Sequence, residues 1–225
     1  MIKKRMRGCD RRQALIIVVR DLFAQKGFDG VSTRELANAA GVPQSLIYKH
    51  FPSKQSLYDA MLDECIKESD LETYKKILTL EPSTSTLILI VHFLMSKMLG
   101  DPESSKALDM MTARSLIESG EFFFSIQKLL APWNAKVEES LKAAVKSGDA
   151  EAVPSTGETA PLFIYGTAAG VGLFLRPEKK ILDLKVSREH LIEKCVWFVL
   201  LGVGVKADVI RRHYNPIGLM LMTQK

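Results

Sequence analysis

Residues 32–54 read STRELANAAGVPQSLIYKHFPSK, and this stretch decides the fold. Ser32 is placed to cap a helix, and Glu35 three residues on completes a capping box. The helix this predicts covers residues 33–40. Gly41 follows where a helix end needs a positive φ, which glycine adopts without a Cβ clash. Pro43 suits the first turn of a second helix, because its missing N–H would be unpaired there anyway. That helix runs only from residue 43 to residue 50 before Phe51-Pro52 breaks it. Leu36 and Ala40 lie four apart and share a face. Ala37 is small enough for the helices to cross closely, while Val42 and Ile47 close the angle between them.

Two helices this short do not stand alone. The preceding segment supplies a third. Leu15, Val18, Val19, Leu22 and Phe23 form an apolar stripe on a helix expected over residues 10–26, with Gly27 after its end. Phe28 and Val31 seal the small core. This is the sequence form of a helix-turn-helix, whose second helix is shaped for the DNA major groove. The charge distribution agrees with it. Residues 1–54 hold 11 Lys and Arg against 4 Asp and Glu, whereas residues 55–225 hold 20 against 22. The whole net charge of +5 is therefore carried by the helix-turn-helix end. Lys3, Lys4, Arg5 and Arg7 make residues 1–9 a basic arm suited to phosphates or the minor groove.

Residues 11–62 resemble the N-terminal domain of the TetR family of bacterial transcriptional repressors. The resemblance rests on Leu22-Phe23-Ala24, Lys26-Gly27-Phe28, Val31-Ser32-Thr33, Ala40-Gly41-Val42, Leu46-Ile47-Tyr48, His50-Phe51, Ser53-Lys54 and Leu57, which agree in order. The rest of the chain resembles that family only in length and helical character. Two positions depart from the pattern: Pro43 stands where the family usually has a small hydroxyl residue, and Ser45 where it often has Gly or Ala. The resemblance implies phosphate contacts from Thr33, Arg34, Tyr48, His50 and Lys54. From the residues themselves, Gln44, Ser45 and Lys49 fall on the leading end or outer face of the second helix. The Gln44 amide matches adenine, and Lys49 suits guanine or a phosphate. Tyr48 also reads as a core ring with its hydroxyl at the surface.

After residue 54, Leu57, Tyr58, Met61, Leu62, Cys65 and Ile66 make one wide face of a helix that links the basic module to the rest. Further helices are expected over residues 86–99, 103–119, 120–147, 159–176 and 187–203, with Pro132 kinking or restarting the third of these. No useful strand alternation appears. The expected fold is all-α. A three-helix DNA-binding module with a helix-turn-helix occupies residues 1–54, followed by a larger helical ligand-binding and dimerisation domain over residues 55–225.

Several functions are excluded by pattern. Residues 160–175 carry no charge, but a membrane span needs roughly 20 apolar residues, and this run contains Gly166, Gly170 and Gly172. A buried helix is expected there, and no membrane. Cys9, Cys65 and Cys195 are odd in number and in no metal-ligand spacing, which fits a reducing compartment: the cytoplasm, with nucleoid association when DNA-bound. No phosphate loop, nucleophile elbow or zinc-protease motif occurs, and His50, His92, His190 and His213 are far apart. Neither enzyme activity, metal nor cofactor is expected.

One short reading helix contacts few bases, so useful specificity needs two half-sites and a homodimer. Gly166, Ala169 and Gly170 let helices approach closely, and Val196-Trp197-Phe198-Val199-Leu200-Leu201 is apolar on nearly all sides. The helices near 159–176 and 187–203 are therefore the expected dimer surface, as the resemblance also implies. His92, Met95, Met111 and Trp133 are the first candidates to line a site for a small apolar effector, though at helical spacing they also read as plain core. The expected protein is a repressor released from a palindromic operator by such an effector. The alternative is a helical DNA-binding protein with no small ligand, controlled by a partner protein.

Overall fold

The computed structural model describes residues 8–68, 71–100, 106–117, 120–175 and 183–223. The arm expected over residues 1–9 lies outside the described residues as far as residue 7. The helices are α1 (Gly8–Lys26), α2 (Thr33–Ala40), α3 (Gln44–His50), α4 (Lys54–Glu68), α5 (Leu71–Thr79) and α6 (Thr84–Leu99). They continue with α7 (Lys106–Ile117), α8 (Glu121–Lys146), α9 (Ala160–Phe174), α10 (Arg188–Gly202), α11 (Ala207–His213) and α12 (Pro216–Thr223). The fold is all-α; among the described residues the β-structure is a single isolated bridge between Ala150 and Val205.

The chain divides into two compact units. The first contains α1 to α4, α7 and the opening of α8, and so extends well past residue 54. Here α1 packs against α2, α4 and α7. Leu15, Ile16, Val19 and Phe23 of α1 meet a core that includes Leu36, Ala37 and Ala40 of α2, Ile47 of α3, and Leu57 and Met61 of α4, all buried. Each large apolar side chain buried this way contributes about 1.5–3 kcal/mol of transfer free energy. Val18 and Leu22, expected in the α1 stripe, are only half-buried, and Ile16 occupies the core instead. Phe23 and Phe28 each meet the Tyr58 ring edge-on at 5.0 Å, which locks α4 against α1 and the turn after it. The packing of α7 on α1 has no local signature in either helix.

The second unit is organised around α6, with α9, α10, α11 and α12 against it. Ser83 caps α6 by accepting the Thr86 N–H at 3.1 Å. Residues 86–93 of α6 are all buried, so α6 is the helix apolar all round that must sit inside. Residues 187–203, apolar on nearly all sides in the sequence and expected as part of the dimer surface, form α10, which buries one side only within the subunit. Val196, Val199 and Leu200 are inside, while Phe198 is 69% and Leu201 47% exposed. The buried helix expected at 159–176 is likewise two-sided: α9 buries Ile164, Ala168 and Ala169 but exposes Leu162, Phe163 and Phe174. Helix α8 continues through Pro132 rather than restarting there. Trp133 from α8 stacks on Tyr74 at 5.1 Å and tilts against Phe93 at 5.7 Å.

Helices α11 and α12 are not anticipated by the sequence pattern. The chain reaches α11 through a short strap: Glu151 N–H donates to the Gly204 carbonyl at 2.8 Å, and Lys206 N–H to the Asp149 carbonyl at 3.0 Å. Gly204 has φ 95°, and a Cβ there would stand 2.2 Å from the Glu151 carbonyl oxygen. Only glycine allows that approach. No described helix is long and apolar enough to cross a membrane.

Candidate nucleic-acid interface

The α2–turn–α3 stretch is built as its sequence dictates. The Ser32 hydroxyl accepts the Glu35 N–H at 3.2 Å, and the Glu35 carboxylate returns to the Ser32 N–H at 2.9 Å, closing the capping box. Glu35 also pairs with Lys26 at 2.7 Å, tying the end of α1 to the start of α2. The Lys26 ammonium and the Ser32 donors hold the Glu35 carboxyl down at about 2. At the far end Gly41 takes φ 65°, and the Val42 N–H closes onto the Ala37 carbonyl at 3.0 Å. Pro43 is extended (ψ 144°) and is the N-cap of α3 rather than its first residue; it gives α3 no side-chain cap.

With Ile47 turned into the core, α3 shows Gln44, Ser45, Tyr48 and Lys49 to solvent, and Pro43 extends that face. His50 is half-buried beside Phe51, with ring centres 6.5 Å apart. Arg12 of α1 lies over the other partner of that pair, its guanidinium 5.0 Å from the Phe51 ring centre. This places an exposed cation of α1 beside the end of α3, which the first-turn position of Arg12 alone does not reveal. Arg34 is exposed on α2.

Three of the expected DNA-contacting side chains, Gln44, Tyr48 and Lys54, hold partners inside the protein. The Gln44 Nε2 donates to the Thr33 hydroxyl at 2.8 Å, and the Tyr48 hydroxyl donates to the same oxygen at 3.4 Å. Hydrogen bonds that its phenolate would accept from Thr33 and Gln44 draw the Tyr48 phenol below its ordinary pKa. Lys54, expected at a phosphate, donates to the Phe28 carbonyl at 2.8 Å and the Val31 carbonyl at 3.0 Å. Its ammonium fastens the start of α4 to the turn between α1 and α2.

The effector candidates divide between the units. Met111, on α7, is buried in the first unit; His92, Met95 and Trp133 are buried in the second. Met95 and Trp133 belong to the continuous apolar core of that unit. His92 Nδ1 lies 3.2 Å from the Tyr214 hydroxyl, and its Nε2 lies 3.4 Å from the Ser96 hydroxyl. Burial lowers the His92 pKa, and burial with the nearby Glu193 charge raises that of Tyr214. Cys195 is a free thiol buried in the core, and burial raises its pKa; the side chains of Cys9 and Cys65 lie outside the described residues.

Residues 18–61 match the family described as "Bacterial regulatory proteins, tetR family". The nucleoid occlusion factor SlmA of Haemophilus influenzae (strain PittGG) is 31% identical over 62 residues, covering 28% of each chain. The HTH-type transcriptional repressor KstR2 of Rhodococcus jostii is 38% identical over 52 residues, 23% of this chain and 26% of that one. The match thus spans little more than a quarter of the length of these relatives. At the level of fold the likeness is wider. The transcriptional regulator FadR of Bacillus subtilis, solved with stearoyl-CoA, superposes with a TM-score of 0.60 over 84% of this chain and 98% of its own, at 20% identity.

Proposed function

The chain belongs to the tetR family of bacterial regulatory proteins through residues 18–61, and from that membership we propose that it is a dimeric DNA-binding transcriptional regulator, a repressor released from a palindromic operator by a small apolar effector. The observation that carries the reading is the α3 surface. Gln44, Ser45, Tyr48 and Lys49 lie exposed on one short helix. That helix follows α2, which a capping box opens and a left-handed glycine turn closes, in the part of the chain that holds all the excess positive charge. Rigid presentation of a few polar side chains over a basic surface is what major-groove reading requires. Arg34, His50 and Arg12 would flank the helix at the phosphates.

The dimer has support in the exposed apolar residues of α9 and α10, Leu162, Phe163, Phe174, Phe198 and Leu201. Large apolar side chains left exposed on two helices that pack together fit an association surface. The effector has support in the fold shared with a regulator solved with stearoyl-CoA, which favours a ligand carrying an acyl chain. Release then follows from a lower affinity of the DNA-binding state for that ligand. The protein acts in the cytoplasm, on the nucleoid.

A second reading is favoured by the similarity to a nucleoid occlusion factor and by the filled surroundings of His92: a DNA-binding protein with no small ligand, controlled by a partner protein. Fluorescence anisotropy with DNA from the flanking genome tests both. The repressor reading expects affinity that falls steeply with salt and is lost on adding one of a panel of acyl thioesters and fatty acids. Salt-dependent binding that no compound alters selects the partner-controlled reading, and absence of salt-dependent binding removes both.

A further inference from the structure

Resting on the DNA-binding reading, we propose that Thr33 is a positioning residue for base recognition, holding the Gln44 amide so that α3 reads one adenine in each half-site. Thr33 opens α2 and Gln44 opens α3, 11 residues apart in the chain, yet Gln44 Nε2 meets the Thr33 hydroxyl at 2.8 Å. Tyr48, one helical turn after Gln44, reaches the same hydroxyl at 3.4 Å. The three side chains form one fork with Thr33 at its base. Thr33 is β-branched and only half-exposed, so its χ1 is restricted and its oxygen has few positions to take. Gln44 and Tyr48 are exposed.

A glutamine amide carries two N–H groups and one carbonyl. Adenine is read by the carbonyl and one N–H together, against N6 and N7. The second N–H is spare in that contact, and it is the one a hydroxyl at the base of the helix can hold. Thr33 thereby fixes a flexible side chain in advance, and binding does not have to order it. The Thr33 hydroxyl, taken up within the protein, serves the base contact through Gln44.

The test is selection of operators from a randomised duplex library by the full-length protein, comparing wild type with Thr33→Val, Thr33→Ser, Gln44→Ala and Thr33→Val/Gln44→Ala. The expected result is one adenine position per half-site that Gln44→Ala flattens by about tenfold. Thr33→Val flattens the same position, Thr33→Ser retains it, and the double variant flattens it no further. Thermal unfolding of each variant checks folding, and Thr33→Ser carries the comparison if Thr33→Val fails to fold: loss of the adenine preference in a stable Thr33→Ser overturns the proposal. An even loss of affinity in Thr33→Val, with the base profile unchanged, makes Thr33 a phosphate contact and overturns it too. So does a wild-type profile that Gln44→Ala leaves intact. Failure of the wild type to enrich any duplex is the distinct outcome that removes the DNA-binding reading itself.

Discussion

Lys54 Nζ stands 2.8 Å from the carbonyl oxygen of Phe28 and 4.2 Å from the centre of the same residue's ring. One ammonium thus donates to the carbonyl and lies over the ring of a single turn residue, and it donates also to the Val31 carbonyl at 3.0 Å. Lys54→Met keeps the apolar stem and removes the donors. Because the site is half-exposed, water replaces part of what is lost, and the unfolding free energy should fall by about 1–2 kcal/mol in urea denaturation. Unchanged stability together with weakened DNA binding would return Lys54 to the phosphate contact that the sequence resemblance implies.

Glu35 supplies a pH signature for the same unit. Its folded pKa is about 2 against an ordinary 4.5, through the Lys26 pair and the Ser32 donors. A depressed carboxyl stabilises the folded state above its unfolded value, and that contribution is lost as pH falls from 4.5 towards 2. Glu35→Gln should therefore differ most from wild type at neutral pH, with the gap in melting temperature closing across that window. A gap that stays constant down to pH 2 would show that the capping box does not depend on the charge. Since the ion pair is exposed, added salt should narrow the gap as well.

The helix-turn-helix was legible because its determinants are local. Ser32 and Glu35, Gly41, and the spacing of Leu36, Ala40 and Ile47 each act within a few residues, and all fall where the sequence places them. Which apolar helix would be central was not legible in the same way. Residues 84–99 and 187–203 are both rich in apolar side chains, and periodicity cannot say which of them has neighbours on every side. Helices α11 and α12, of seven and eight residues, are too short for their periodicity to stand out. In the site, exposure of Gln44, Ser45 and Lys49 follows from helix geometry. The Thr33–Gln44 bond and the Lys54 tie do not, since each joins residues far apart in the chain whose meeting depends on how α2, α3 and α4 are folded together.

His92 gives the second unit the opposite sign of acid sensitivity to that of an ion-paired histidine. Burial lowers its folded pKa below the ordinary 6.5. Its contribution is present above pH 6.5 and is lost as pH falls through that value towards the folded one, because the unfolded chain takes up the proton first. Replacing it by a neutral hydrogen-bonding side chain, His92→Gln, should flatten the fall in unfolding free energy between about pH 7 and pH 5. An equally steep fall in His92→Gln would assign that sensitivity to other groups. Tyr214→Phe, which removes the hydroxyl facing Nδ1, should lower stability at neutral pH by about 1 kcal/mol.

Gly170 tests the association surface without disturbing the subunit. A Cβ built there meets nothing within 4 Å in its own chain, and the same holds at Gly166 one turn earlier. A side chain at 170 therefore meets no obstacle at its first carbon within one subunit, while a leucine there would block any helix that packs closely on α9. Gly170→Leu should leave the melting transition of the isolated subunit intact and shift sedimentation equilibrium from dimer to monomer. Phe198→Asp, on the exposed side of α10, should act in the same direction, since Phe198 is 69% exposed in the single chain. Operator affinity should then drop by orders of magnitude as the second half-site is lost, with the single-module affinity and its salt dependence remaining. A stable dimer from both variants would place the interface away from α9 and α10.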